Sequence, residues 1–361
     1  MSPVRYTPDV ETIEPDEAEV QAELIATFRS IQETTHADSG HGLRGVHAKS
    51  HALLQGSFTV LDNLPADYAQ GLFAIPGRHD ALLRISTGAG DVLPDSISIL
   101  RGIGIKVLDV PGDRLEGSEG DTTQDFLLAN GVAFPAPGPK KFLGNLKLLA
   151  KTTDKVEGLK KVVSAVFRTL EKGVEAVGGE SGFLEQLGGH RHTHPLGETF
   201  FSQAPIRYGD YIAKLGLFPV SPNFAALVNE EIDIDGRDDA LREEIAATLA
   251  REGGAWELRV QLCRDLEANP IEDASVAWPE ENNPYVAVAR IEVPAQAGWT
   301  EARAEILDDK TSFNPWHGIE AHRPLGAVMR ARKPVYAASV ETRSRFNGCP
   351  INEPRHAELP A

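Results

Sequence analysis

Between residues 16 and 32 apolar side chains return at helical spacing (Val20, Leu24, Ile25, Phe28, Ile31), with acidic and polar residues between them. One apolar stripe at that period predicts an amphipathic helix within an N-terminal extension over residues 1–40. A loop containing Gly and His follows over 36–50. The period then shortens. Segments 57–62, 81–86, 102–110 and 125–130 are apolar or alternating and are bounded by Gly, Pro or Asp, which predicts strands. From 140 to 178 the helical period returns: Leu146, Leu149, Val156, Leu159, Val162, Val163, Val166 and Leu170 form one face, and Lys fills much of the other. This predicts one or two amphipathic helices in an insert over 138–200. Further strands are expected over 224–234, 255–263 and 284–293, with a helix over 238–251 between the first two. Residues 299–345 read as irregular and then helical. Strands, then inserted helices, then strands again make an α+β chain, not a βαβ alternation. Hairpin-like spacing favours an antiparallel sheet, which can close as a barrel.

A chain of 361 residues can bury a sizeable core, and it is expected to be a single domain over 1–361. The formal charge of −17 argues against a nucleic-acid partner, since phosphate contacts need clustered Lys and Arg. Cys263 and Cys349 are far apart and form no CxxC pair, so a disulfide framework is not indicated and a reducing compartment is expected. The acidic N-terminus has no apolar h-region, and no window has the apolar run that spans a bilayer. The expectation is a cytoplasmic protein without stable membrane insertion.

Several residue patterns suggest chemistry. His190, His192 and His194 form an H-x-H-x-H run that would share one face of a strand and could hold a metal. Gly188 and Gly189 before it and Pro195 after it favour a solvated loop. The Lys-rich helical face could meet anionic lipid, but a solvated helix face is the commoner explanation. Ser86 and His47 could suggest a hydrolase, yet no G-x-S-x-G elbow surrounds Ser86 and no acid partner is evident. Four short segments remain: Arg44-Gly-Val-His47-Ala-Lys-Ser, Leu83-Arg84-Ile-Ser86-Thr87, Asp125-Phe-Leu-Leu-Ala-Asn130, and Arg332-Lys-Pro-Val-Tyr336 followed by Arg343. Each has a structural explanation when taken singly.

Together and in this order, the four segments resemble the haem-binding signature of the catalase superfamily. The family's R-x-V-H-A-K-G is matched at Arg44, Val46, His47, Ala48 and Lys49, with Ser50 in place of the Gly. Its R-F-S-T resembles Arg84-Ile-Ser86-Thr87, and its R-G-F-A-x-K-F resembles Arg101-Gly-Ile-Gly-Ile-Lys106-Val. The D-x-V-x-N-N strand resembles residues Asp125 to Asn130. Phe313-Asn-Pro315 resembles F-N-P. Arg332, Tyr336 and Arg343 keep the spacing of R-x-F-S-Y-x-D-T-x-x-x-R, with Pro334 and Val335 replacing Phe and Ser. The resemblance spans about residues 40 to 345 and is weaker through the 138–200 insert. The chain is short for the family and resembles its minimal branch. That branch lacks the extended N-terminal arm and the C-terminal flavodoxin-like domain, so NADPH binding and the arm-exchanged tetramer are not expected.

The resemblance implies an antiparallel eight-stranded β-barrel of catalase type with inserted and C-terminal helices. It implies haem b with iron ligated by Tyr336. A phenol with pKa near 10 ligates well only when ionised, and Arg332, four residues earlier, would favour the phenolate. Pro334 is tolerated if it occupies the first turn of the proximal helix, in which case Arg332 lies outside the helix proper. On the distal side, His47 would move a proton between the two peroxide oxygens, Asn130 would hydrogen-bond the peroxide, and Ser86 would orient His47. Arg44, Arg84 and Arg343 would pair with the haem propionates, and Phe134 would pack on the haem face. The implied activity is decomposition of hydrogen peroxide or an organic or lipid hydroperoxide through an oxoferryl state. The alternative is non-redox rearrangement of fatty-acid hydroperoxides, for which the related branch carries Thr where this chain has Val46. A haem binder without turnover is disfavoured by the intact His47, Ser86 and Asn130 set. A homo-oligomer such as a dimer is expected.

Overall fold

The computed structural model describes residues 2–153 and 191–361. Nine strands are present among them: β1 Ser50–Val60, β2 Gly77–Thr87, β3 Arg101–Val107, β4 Gln124–Ala129, β5 Phe200–Phe201, β6 Ile206–Tyr208, β7 Tyr211–Pro219, β8 Gly254–Leu262 and β9 Tyr285–Val293. They pair antiparallel in the order β5-β4-β3-β2-β1-β9-β8-β7, and a β5–β7 pairing returns the last strand to the first. The result is a closed eight-stranded antiparallel barrel, with β6 attached to β7 by a two-residue turn in which Gly209 takes φ +60°. Closure leaves these strands without open edges.

Alternation along each strand divides inside from outside. Ala52, Leu54, Phe58 and Val60 of β1, Ala81, Leu83 and Ile85 of β2, Ile103, Ile105 and Val107 of β3, and Phe126 and Leu128 of β4 join one core inside the barrel. Phe73, Phe126 and Tyr208 pack around His322 in that core in edge-on and tilted contacts, at ring-centroid distances of 5.4–6.2 Å. Burial pushes the His322 imidazole down to about pKa 3, and its Nε2 accepts from Leu72 N at 3.0 Å. The residues between, Arg84 and Ser86 on β2, Gly102 and Gly104 on β3, and Leu127 and Ala129 on β4, face outward and line a cavity beyond the wall. Three helices close that cavity: α1 Glu17–Ser39, α2 Pro139–Thr153 and, C-terminally, α4 Ala327–Asn347. Val20, Leu24 and Phe28 of α1, Leu143 of α2 and Ala331 and Val335 of α4 form a second apolar cluster that joins them. A further helix, α3 Ala240–Leu249, packs against β1 and the barrel end. No helix among the described residues is long and apolar enough to cross a membrane.

Several sequence expectations change. The strand expected over 224–234 is instead a short helix, Pro222–Ala226, and turns. Pro222 occupies its first turn, where its fixed φ suits a helix, and Phe224 packs onto Trp256 at 4.6 Å. Its place beside β8 is taken by β7, which has Lys214 and Gly216 within it and which the sequence did not announce. Helix α1 runs on to Ser39, with the hydroxyls of Thr34, Thr35 and Ser39 returning to carbonyls one turn back. The expected helical insert is helical over Pro139–Thr153; residues 154–190 lie outside the described ones. His190 lies among those, while His194 caps the turn Pro195–Gly197 by accepting from Leu196 N at 3.2 Å. No group of three His, Cys, Asp or Glu able to hold a metal ion occurs among the described residues.

Candidate active site

The cavity measures about 980 Å³, near the top of the ~300–1,000 Å³ range of ligand pockets. Its walls are mostly apolar: Leu24, Phe28 and Ile31 of α1, Phe142 and Leu146 of α2, and Phe134 and Phe313 from loops. Into it open His47, Ser86, Arg44, Arg84, Arg343, Arg332 and Tyr336, so eight of the nine residues singled out in the sequence line one space, Phe134 included.

His47 lies just before β1 with φ +55°, a left-handed conformation that non-glycine residues adopt at a cost. Three contacts hold it there. Its N–H donates to Gly88 O at 3.3 Å, its carbonyl accepts from Arg84 Nη2 at 2.8 Å, and its Nδ1 meets Ser86 Oγ at 3.1 Å. Lys49 anchors the loop that covers it. The Lys49 Nζ donates to Leu93 O at 3.0 Å, Asp95 Oδ1 at 2.7 Å and Asp238 O at 2.6 Å. Gly102, paired with Ser86 across the β2–β3 ladder, lies beneath the ring. A Cβ there would stand 2.6 Å from His47 Cε1, so only glycine admits the imidazole. Burial above all, then the Arg84 and Arg332 guanidinium groups, hold the His47 pKa down at about 3. The ring is therefore neutral, and in the tautomer that donates from Nδ1 to Ser86 Oγ its Nε2 is a base.

Arg44, Arg84 and Arg343 come from a loop, from β2 and from α4, and converge on Asp308. Arg84 Nε donates to Asp308 Oδ1 at 2.6 Å, and Arg44 Nη1 donates to the same oxygen at 3.1 Å. Arg44 also donates to the carbonyls of Asp308, Leu307 and Thr311, and Arg343 Nη1 to the Asp308 carbonyl. Burial, then the neighbouring Arg84, lower the Arg343 pKa to about 10. Its buried Nε has no hydrogen-bond partner, an expensive omission for a charged group.

Tyr336 stands on α4, one turn beyond Arg332, so the two share a face. The helix begins at Ala327, which puts Pro334 well inside it and not in its first turn. Arg332 is thus helical, contrary to the sequence expectation. Its guanidinium lies 5.7 Å from the Phe134 ring and its Nη1 is 3.5 Å from Met329 Sδ. The proline withholds one helical hydrogen bond, which costs stability. Arg330, whose carbonyl would have taken it, is held by Glu11, Glu17 and Glu272, an anchor for the start of the helix.

Asn130 is the exception among the expected site residues. It is not among the cavity's lining side chains. Its Oδ1 accepts from Arg101 N at 2.9 Å and its Nδ2 donates to Glu198 Oε2 at 3.1 Å. Both ends of the amide are thus engaged, by Arg101 N and by the Glu198 carboxylate that also pairs with Arg101. Sequence reasoning in turn missed Asp308 and the reason for Gly102. The first has no local pattern, and the second becomes visible only when the imidazole is seen above it.

These residues suit a planar dicarboxylic tetrapyrrole. The phenol, the neutral imidazole and a cluster of arginines with more charge than its own acid can match all border one apolar space, and the orphaned Arg343 Nε awaits an acceptor. No protein-family model and no curated protein matches the sequence. Solved structures do. A fungal catalase matches with TM-score 0.58 at 14% identity, over 88% of this chain and 61% of that one. Catalase A from Saccharomyces cerevisiae matches with TM-score 0.59 at 15% identity, over 91% and 66%. A bacterial catalase matches with TM-score 0.60 at 14% identity, over 91% and 63%. The chain therefore spans between 61% and 66% of the length of these catalases, and with its closed eight-stranded barrel and flanking helices it has the catalase fold.

Proposed function

We propose that this protein binds haem b in the cavity and decomposes peroxides. The observation that carries the reading is the convergence of a neutral His47–Ser86 pair, the Tyr336 phenol and the Arg44–Arg84–Arg343 cluster on one apolar space. Tyr336 would ligate the iron and the three arginines would take the propionates, with Phe134 against the macrocycle. Haem, when bound, would supply the redox centre for peroxide chemistry. His47 takes the proton from the first peroxide oxygen at Nε2 and returns it to the second, so that the leaving group is water, not hydroxide. Its pKa of about 3 keeps it in the basic form at every physiological pH. Ser86 fixes the ring's orientation. Arg332, one turn before Tyr336, adds positive charge on the ligand's side of the helix and favours the phenolate.

A second reading, rearrangement of a fatty-acid hydroperoxide, is supported by the apolar lining from α1 and α2. Val46 in place of Thr favours the first. The deciding test is oxygen release from hydrogen peroxide by the haem-loaded protein. Sustained release is expected. No release, with a fatty hydroperoxide isomerised instead in the absence of any electron donor, would replace this reading by the second. No turnover of either would overturn both.

A further inference from the structure

Gln203 lies in the turn between β5 and β6, lines the cavity and is 3% exposed. Among the described residues it is the one amide side chain that borders this space. Its backbone takes φ +61°, and Ala204 N donates across it to Ser202 O at 2.7 Å. A three-residue turn closed in this way with a positive central φ is rare and strained. Glycine would adopt it freely. The neighbours hold the strain in place. Ser202 N donates to Leu215 O at 2.9 Å, Leu215 N donates to Ser202 Oγ at 3.0 Å, and that hydroxyl donates to Ala204 O at 3.0 Å. A strained residue over-determined by its surroundings and set on a ligand space points to function.

The two ends of the amide differ. Nε2 donates to Gly131 O at 3.1 Å and to Ala133 O at 2.9 Å, which uses both of its protons and fixes which end is nitrogen. A Cβ on Gly131 would stand 3.3 Å from that nitrogen and 3.3 Å from Leu100 Cδ1, so glycine gives the amide its room. The loop held in this way leads directly to Phe134. No described residue donates to Oε1, so what Gln203 can offer the cavity is an acceptor. Leu100 links this corner to the loop of His47: its carbonyl accepts from Gly88 N at 2.8 Å, and the Gly88 carbonyl holds His47 N. The Asn130 amide, which the sequence assigned to this side of the cavity, is engaged elsewhere.

We propose that Gln203 is a specificity-determining residue of the cavity, whose Oε1 accepts a hydrogen bond from an O–H of the substrate. The identity of that substrate as a peroxide rests on the reading above; the acceptor favours a ligand with an O–H over its O-alkyl counterpart whatever the reaction. Nε2 meanwhile braces the 131–134 loop, which is a separate, structural role.

The experiment titrates the haem-loaded protein by calorimetry with benzhydroxamic acid, which carries an O–H and is not a peroxide, and with its O-methyl derivative, which lacks that donor. The wild type should bind the first about tenfold more tightly, the worth of one well-placed hydrogen bond. Gln203→Met keeps the length of the side chain and removes the acceptor; its ratio should fall to about one, and its KM for hydrogen peroxide should rise at least about threefold with a smaller change in kcat. Gln203→Asn suits a left-handed turn and draws the oxygen back by one carbon; it is the second variant and should lower the ratio at least about threefold. Equal binding of the two probes by the wild type would overturn the proposal. So would a Gln203→Met ratio equal to that of the wild type beside a lowered melting temperature, because Gln203 would then only brace the loop. If the wild type turns over no peroxide, the functional reading fails and the calorimetric ratio still decides this one.

Discussion

Gly102→Ala tests the distal geometry with one methyl group. The added Cβ would lie 2.6 Å from His47 Cε1 and 3.2 Å from both His47 Nδ1 and Leu128 O. Carbon atoms in contact settle at about 3.5–4.0 Å, so the ring must retreat by roughly 1 Å. The strand cannot yield instead, because β3 is laddered on both sides, to Ser86 on β2 and to Ala129 on β4. A retreat of that size breaks the 3.1 Å contact with Ser86 Oγ and strains a residue already at φ +55°. Overpacking of this kind costs about 1–3 kcal/mol of stability, and misplacing a catalytic group by ~1 Å can cost about 10²-fold in rate. The arginine cradle and Tyr336 do not touch Gly102, so haem affinity should be nearly unchanged. The assay is steady-state peroxide consumption by the haem-loaded variant beside a thermal melt and a haem titration. Wild-type turnover in a folded, haem-loaded Gly102→Ala protein would refute the claim that His47 works from this position.

Other expectations follow from the same geometry. His47→Ala should retain haem and lose about 10²–10⁴-fold of peroxide turnover; near-normal turnover would remove His47 from the mechanism. His47 and His322 both fall to about pKa 3 in the fold, against about 6.5 unfolded. Between those values the unfolded chain binds protons that the folded chain refuses, so stability should fall on acidification from pH 6.5, by about 1.4 kcal/mol per pH unit for each histidine. Denaturant titrations at pH 7, 6, 5 and 4 check this, and a flat profile would contradict it. His317 has the opposite sign: burial pulls its pKa down, but Asp125 and Glu353 outweigh burial and raise it to about 9, so its contribution is full below about pH 6.5 and is lost as pH rises through 9. Lys106→Met would leave the buried Asp125 and the half-buried Glu353 with His317 but without the lysine and should cost up to about 3–5 kcal/mol; a triple variant that also neutralises both acids should recover much of that loss, measured by chemical denaturation.

The sequence was most legible where its signal is local. The strands β1 to β4, β8 and β9 and the helices α1 and α3 all announce themselves by period, and the motif residues fall on the outer faces of β2 and β3 or beside them. What it concealed depends on contacts distant in the chain. Strand β7 carries Lys214, an unusual residue for a barrel wall, which the structure accommodates over Trp278 at 4.9 Å and against Val276 O at 3.0 Å. Pro334 signals a helix start, yet α4 begins seven residues earlier because Arg330 is pinned by three carboxylates. Asn130 carries the expected residue type, but Glu198, far along the chain, claims its amide. Asp308 is unremarkable in a run of acidic residues until three arginines from three elements surround it.

The measurement closest to the central claim is a spectroscopic titration of the protein with ferric haem, run in parallel on the wild type and on Tyr336→Phe. One haem per chain is expected, with a tyrosinate-ligated high-spin ferric spectrum in the wild type and, in Tyr336→Phe, loss of that spectrum with much weaker retention. Failure of the wild-type protein to bind haem, or an unchanged spectrum and affinity in Tyr336→Phe, would contradict the account.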